Sequence, residues 1–176
     1  ELPESIGNLV ELKELDLSSN EISELPKSFE NLIDLQILIL TDNRLKTLPN
    51  AINNFMQLKT LLSSNNQLLR LPETIGYLAQ LRDLAVASNN LEELPSSLGK
   101  LEQLGELTIS NNQIAVLPDT VCELKELRIL QAGSNQLRLL PEKIGNCLSL
   151  EDLTVGNNRI SKLPDSIGDL QYLREL

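Results

Sequence analysis

The sequence predicts an α/β solenoid: a right-handed horseshoe with a parallel sheet on its concave side and irregular or 3₁₀ segments on its convex side. Two observations predict it. The chain divides into rows of 23 residues, and all eight prolines occupy one column of those rows. Leucine fills three further columns without exception, including the residue before each proline. Self-similarity at such a period is typical of stacked units that share one continuous core.

Each row predicts one strand. Seven complete rows span residues 12–172, and each approximates L-x-x-L-x-L-x-x-N-x-L-x-x-L-P-x-x-I-x-x-L-x-x. We number the columns from the first leucine. The alternating apolar residues, such as Leu15 and Leu17, match a short strand with one buried face. The residues of columns 3 and 5 are therefore expected to point outward on the concave side.

The second half of each row predicts a turn and a return segment. Column 9 is asparagine from Asn20 to Asn158. Its amide can bond backbone groups left unpaired in the bend, so these residues are expected to form a buried ladder. The proline of column 15 fixes φ and lacks an N–H, so the chain should return in extended or short 3₁₀ turns.

These rows resemble the leucine-rich repeat family, whose L-x-x-L-x-L-x-x-N-x-L signature they carry along the whole chain. The return L-P-x-x-I-G-x-L, at residues 71–78 and 163–170, is similar to the 23-residue intracellular Ras-group repeats of Shoc-type, Erbin and Scribble scaffolds. Similar rows also occur in bacterial repeat proteins. The Ras-group resemblance implies a cytoplasmic signalling adaptor or scaffold that binds a protein, such as a small GTPase or phosphatase, through its concave side.

Residues 1–176 are expected to form a single solenoid, because no linker or low-complexity segment interrupts the rows. Neither end carries the polar cap that such arrays need, which predicts a fragment of a longer protein. The family resemblance leaves alternatives open. The chain is then a substrate-recognition or regulatory arm of a larger enzyme, such as a kinase, GTPase or ubiquitin ligase, or else a bacterial effector, spacer or adhesin.

Composition argues against several functions. The formal net charge of −10 disfavours nucleic acid and anionic membranes as partners. No apolar run approaches the roughly 18 residues of a membrane span. Histidine is absent and no glycine-rich phosphate loop occurs, so we predict no catalytic, cofactor-binding or metal-binding residues and no enzymatic activity. An open repeat face also offers no closed apolar pocket for a small-molecule substrate.

Three residues depart from the pattern in the interior. Cys122 and Cys147 are too few and too far apart for a disulfide framework, so we interpret them as small buried hydrophobic residues. Together with the lack of N-x-[ST] sequons, this favours the cytosol. Ser63 interrupts the aliphatic column 6. Its hydroxyl is expected to bond a local carbonyl, or else the strand is distorted so that Leu62 turns inward.

The candidate binding site lies in columns 3 and 5. Apolar residues there should form a patch on the second to fourth strands, with Asp16, Asp42 and Asp83 as an acidic rim that favours a basic partner. The patch is interpreted either as a binding hot spot or as ordinary strand residues, which flanking sequence covers or which simply suit a strand. The predicted partner-binding residues are Ile37, Ile39, Leu62, Ala85, Asp16, Asp83, Glu106, Ile129, Gln131 and Asp152.

Overall fold

The structure is a computed structural model that describes residues 1–176 apart from the side chain of Asn50. Seven strands of three residues form one parallel sheet in chain order, which confirms the predicted solenoid with one strand per row. Each strand pairs in register with the same columns of the next row. The strands are β1 (Glu14–Asp16), β2 (Ile37–Ile39), β3 (Thr60–Leu62), β4 (Asp83–Ala85), β5 (Glu106–Thr108), β6 (Ile129–Gln131) and β7 (Asp152–Thr154).

A short 3₁₀ helix follows each proline on the opposite side of the rows, as predicted. The proline itself is extended, as at Pro72 with φ −69° and ψ 145°, and its carbonyl accepts the N–H of Ile75 at 3.0 Å. Because Pro72 is the N-cap of this helix, its missing N–H is not needed for the hydrogen bonds of the helix. The 3₁₀ helices are Glu4–Asn8, Lys27–Asn31, Asn50–Asn54, Glu73–Tyr77, Ser96–Lys100, Asp119–Glu123, Ile144–Asn146 and Asp165–Asp169.

The core between the sheet and the 3₁₀ helices is almost entirely aliphatic. The central leucine of each strand from β2 to β7 is buried, as are most of the leucine and isoleucine columns around it. Phe29 and Phe55 are fully buried and meet edge to face, with ring centroids 5.7 Å apart. Phe55 thus replaces a leucine of column 21 by filling volume, as the sequence predicts.

The asparagines form the predicted ladder. Asn112 Nδ2 donates to the carbonyls of Val86 at 3.0 Å, Ile109 at 3.0 Å and Ser110 at 3.3 Å. Its Oδ1 accepts the N–H of Leu91, in the preceding row, at 2.9 Å. One side chain therefore contacts four backbone groups of two rows. The N–H of Leu91 depends on this amide, whereas each of the three carbonyls also accepts a second hydrogen bond.

A second column supports the same bend. All seven residues of column 8 have positive φ, between 53° and 57°, although none is glycine. Residues other than glycine rarely adopt a positive φ, and asparagine and aspartate tolerate it better than most. The column contains only serine, aspartate and asparagine, which are Ser19, Asp42, Asn65, Ser88, Asn111, Ser134 and Asn157.

Both explanations of Ser63 are wrong. Its side chain is fully buried, but its Oγ has no hydrogen-bond partner. The strand is not distorted, because Leu61 and Leu62 keep their register with β4 and Leu62 stays half-exposed. The backbone carbonyl of Ser63 is already used by the ladder asparagines Asn66 and Asn89. An apolar slot of the core therefore contains an unpaired hydroxyl.

The two cysteines are buried, as predicted, but the structure also brings them together. The neighbouring thiol of Cys147 lowers the pKa of Cys122, whereas the Cys122 thiol and burial raise the pKa of Cys147. The thiol of Cys147 donates to the carbonyl of Val121 at 3.5 Å. Although distant in sequence, the pair meets because the second cysteine lies one row and two residues further along the chain.

Candidate protein-binding face

The sheet face is the surface formed by the outward residues of columns 3 and 5. The burial of each strand alternates, with the central leucine inward and the two flanking side chains exposed or half-exposed, as predicted. The in-register pairing arranges these side chains in two parallel lines that cross the sheet, one for each column. Column 3 contains Glu14, Ile37, Thr60, Asp83, Glu106, Ile129 and Asp152; column 5 contains Asp16, Ile39, Leu62, Ala85, Thr108, Gln131 and Thr154.

Four of the predicted residues form one apolar cluster, which consists of Ile37, Ile39, Leu62 and Ala85. Ile39 is aligned with Leu62, and Leu62 with Ala85, so these three side chains lie side by side across β2, β3 and β4. Ile37 projects from the same side of β2 as Ile39. All four side chains are half-exposed, so they give the sheet face a continuous apolar surface.

Four further predicted residues lie beyond the cluster on β5 to β7 and do not join it: Glu106, Ile129, Gln131 and Asp152. Ile129 and Gln131 are on β6, with β4 and β5 between them and Leu62. Ile129 is flanked in column 3 by Glu106 and Asp152, so it is an isolated apolar residue in polar surroundings. The cluster is therefore confined to the first half of the sheet.

The acidic residues beside the cluster are held in place by local hydrogen bonds. Asp16 is aligned with Ile39, and its Oδ1 accepts the hydroxyl of Ser18 at 2.6 Å and the N–H of Ser18 at 2.8 Å. These two bonds lower the pKa of Asp16. On the other side, Asp83 Oδ2 accepts the hydroxyl of Thr60 at 3.0 Å.

Two features of this region were missed from the sequence. Val10, Ile33 and Met56 are 49%, 53% and 63% exposed, and they occupy column 22 at the turn that leads into each strand. These residues lie in three successive rows, in the turns before β1, β2 and β3. The sequence could have predicted this exposure. The fold does not require column 22 to be apolar, yet it contains valine, isoleucine and methionine in three successive rows.

The second missed feature is a basic row at the amino ends of the strands. Column 2 contains five basic residues, partly tied to neighbours. Lys59 Nζ lies 3.2 Å from Gln36 Oε1, and Arg128 Nε lies 3.2 Å from Glu151 Oε1. The five are Lys13, Lys59, Arg82, Arg128 and Arg174.

The surface is open. Near β4 and β5 it contains a polar groove of about 520 Å³ lined by arginine, glutamate and aspartate side chains. Within the described residues, no group of histidine, cysteine, aspartate or glutamate side chains is arranged to hold a metal ion. Among the residues that the structure describes, no helix is long and apolar enough to span a bilayer. The arrangement therefore offers an extended surface for contact.

Comparison with known proteins agrees with this geometry. The family model for a leucine-rich repeat region matches residues 1–89 and 62–176, which together cover the chain. The chain belongs to the leucine-rich repeat family. Solenoids of this family are in general protein-interaction modules. A search of curated proteins gave no significant match.

Several solved structures are similar to this leucine-rich repeat chain. A Leptospira interrogans leucine-rich repeat protein is 32% identical over 99% of this chain and 50% of its own, with a TM-score of 0.76. The ectodomain of the Arabidopsis thaliana membrane receptor kinase GASSHO1/SCHENGEN3 was solved in complex with CASPARIAN STRIP INTEGRITY FACTOR 2. It is 30% identical over 99% of this chain and 22% of its own, with a TM-score of 0.90. Internalin C2 of Listeria monocytogenes is 26% identical over 97% of this chain and 73% of its own, with a TM-score of 0.85. The chain spans half of the Leptospira protein and about a fifth of the plant ectodomain.

Proposed function

We propose that this chain binds a protein partner through its sheet face and acts as a signalling adaptor or scaffold. The apolar cluster of Ile37, Ile39, Leu62 and Ala85 supports the proposal, because contiguous exposed apolar side chains rimmed by polar ones tend to mark protein-binding sites. Seven strands about 4.8 Å apart give a face roughly 30 Å long. A standard interface of about 800 Å² per partner fits on it.

Similar proteins support a protein as the partner. The GASSHO1/SCHENGEN3 ectodomain was solved in complex with CASPARIAN STRIP INTEGRITY FACTOR 2, and PEPR1, 28% identical to this chain, was solved with AtPEP1. The L-P-x-x-I-G-x-L returns resemble Ras-group repeats, so we propose a cytoplasmic location and a small GTPase or phosphatase as the partner. Cell fractionation with the full-length protein tests the location; recovery only outside the cytoplasm contradicts it.

The binding proposal is tested by affinity capture with mass spectrometry. Ile39→Arg places a charge in the middle of the cluster, and Val116→Arg makes the same change at an exposed apolar residue that lies off the sheet face. We expect wild type and Val116→Arg to recover the same partner and Ile39→Arg to lose it. Equal recovery by all three proteins contradicts binding at the cluster.

A second candidate is a recognition or regulatory arm of a larger enzyme. It is favoured by the similarity to part of a receptor kinase ectodomain, of which this chain spans 22%. The sequence of the full-length protein tests it. A catalytic domain in the same polypeptide supports the arm, whereas interaction domains alone support the scaffold.

A further inference from the structure

The charge of the sheet face is one-sided. Columns 3 and 5 contain five carboxylates, on Glu14, Asp16, Asp83, Glu106 and Asp152, and no basic side chain. The cluster has acidic neighbours on both flanks, with Glu14 and Asp16 on β1 and Asp83 on β4. An apolar segment that covers the cluster therefore brings its own flanking residues against carboxylates.

Two of these carboxylates, on Asp16 and Asp83, are oriented by hydrogen bonds before any partner binds. Asp16 and Asp83 are held by Ser18 and Thr60, so less side-chain freedom is lost when a partner binds them. A hydroxyl donor uses only part of a carboxylate's capacity, since its two oxygens accept about four hydrogen bonds. Both groups remain able to accept bonds from lysine or arginine.

The basic row of column 2 does not cancel this charge across the whole face. It lies at the amino ends of the strands, where Lys59 and Arg128 already contact Gln36 and Glu151. The opposite edge of the cluster adds a further acid, because Asp42 lies three residues beyond Ile39 and is exposed. The basic residues therefore lie next to the carboxylates of column 3, whereas Asp16 and Asp42 lie on the carboxyl-terminal side of β1 and β2, away from them.

The groove near β4 and β5 extends the acidic surface. Column 2 has a glycine in this row, Gly105, so no long side chain fills the space between Arg82 and Arg128. Four carboxylates line the groove against those two guanidinium groups, one of which pairs with Glu151. These carboxylates belong to Asp83, Glu102, Glu106 and Glu126.

We propose that the partner segment seated on the apolar cluster is an extended peptide segment with basic residues on both sides of its apolar ones. This inference rests on the proposed function. Asp16 and Asp83 lie three strands apart and are offset by two residues along the strands, which gives a separation of about 16 Å at the usual spacings. An extended chain advances about 3.3 Å per residue, so the two basic residues are about five positions apart.

A phage-displayed library of random peptides tests this inference with four forms of the chain. They are wild type, Ile39→Arg, the double variant Asp16→Asn with Asp83→Asn, and a control double variant, Asp119→Asn with Asp165→Asn, at exposed positions of two 3₁₀ helices. Peptides selected on wild type are synthesised, and their affinities for all four proteins are measured at low and high salt.

We expect the selected peptides to carry lysine or arginine about five residues apart around apolar residues, and to need Ile39. The Asp16/Asp83 variant should bind them about three- to tenfold more weakly at low salt, with the difference shrinking at high salt, while the control variant binds normally. Peptides that need Ile39 but show no basic excess overturn this inference and leave the proposed function standing. If no Ile39-dependent peptide is selected, the inference is also wrong, and affinity capture decides the proposed function separately.

Discussion

At the scale of the residue, the asparagines of column 9 are the polar groups on which the fold depends. Asn112→Ala leaves the N–H of Leu91 without its partner. It also removes one of the two donors that the carbonyls of Val86, Ile109 and Ser110 each have. We expect it to lower the free energy of unfolding by about 2 kcal/mol, since one unpaired buried group costs about 1–3 kcal/mol. Urea unfolding measures this loss.

The control is Asn20→Ala, because Asn20 is exposed and bonds only the carbonyls of Leu17 and Ser18. Water can replace those bonds, so a loss below about 1 kcal/mol is expected. If both substitutions destabilise the chain equally, the buried ladder is not the source of the stability.

Ser63 gives the opposite prediction, because its hydroxyl is buried without a partner. Ser63→Ala removes that hydroxyl without adding volume and should raise the free energy of unfolding by about 1 kcal/mol. Ser64→Ala is the matched control, since Ser64 Oγ accepts the N–H of Ala87 at 3.2 Å and its loss should destabilise the chain. A destabilised Ser63→Ala variant, measured by the same urea titration, contradicts this account.

The cysteine pair predicts selective alkylation. Because the neighbouring thiol of Cys147 lowers its pKa, Cys122 should react with iodoacetamide before the fully buried Cys147. Cys147→Ala removes that thiol, raises the pKa of Cys122 and shifts half-maximal alkylation to higher pH. Mass spectrometry of the peptides over a pH series measures both effects, and an unchanged pH midpoint would count against an effect of Cys147 on Cys122.

At the scale of the element, glycine sets how closely neighbouring 3₁₀ helices approach. A Cβ on Gly76 would lie 2.4 Å from the carbonyl oxygen of Ser97 in the next row, whereas a Cβ on Gly168 would meet nothing within 4 Å. We therefore expect Gly76→Ala to lower stability by about 2 kcal/mol through overpacking. Gly168→Ala should leave stability unchanged or slightly higher. Equal effects in thermal melts would show that the helices separate without cost.

The strands and 3₁₀ helices were predictable because they repeat. A proline or an asparagine in every row requires the same backbone each time, so composition by column determines the element. The prediction that failed, for the Ser63 hydroxyl, concerned a single row. The hydrogen bonds open to Ser63 depend on which carbonyls the neighbouring asparagines already use. A pattern of residues by column does not show which carbonyls are taken.

The proximity of the two cysteines and the exposure of Val10, Ile33 and Met56 could be predicted from the sequence. In a solenoid, a separation of one row plus two residues brings side chains close together, as it does for Cys122 and Cys147. The candidate site was predicted in part: its outward orientation follows from strand alternation. The hydrogen bonds that orient Asp16 and Asp83 depend on side-chain rotamers that a column pattern does not determine.

At the scale of the whole molecule, the columns divide into those that build the solenoid and those that vary on its surface. Leucine, asparagine and proline recur because every row must bury the same face and close the same bend. The outward columns 3 and 5 are free of that requirement. We therefore propose that recognition takes place on the sheet face, where Ile37, Ile39 and Leu62 interrupt an otherwise largely polar surface.

Hydroxyl-radical footprinting of the chain, alone and with the partner recovered by affinity capture, tests this assignment most directly. The exposed Tyr77, on the 3₁₀ side, serves as an internal reference. We predict that the partner protects Ile39 and Leu62 from oxidation and leaves Tyr77 unchanged. Protection of Tyr77 with undiminished oxidation of Ile39 and Leu62 would place the partner on the opposite side and contradict the account.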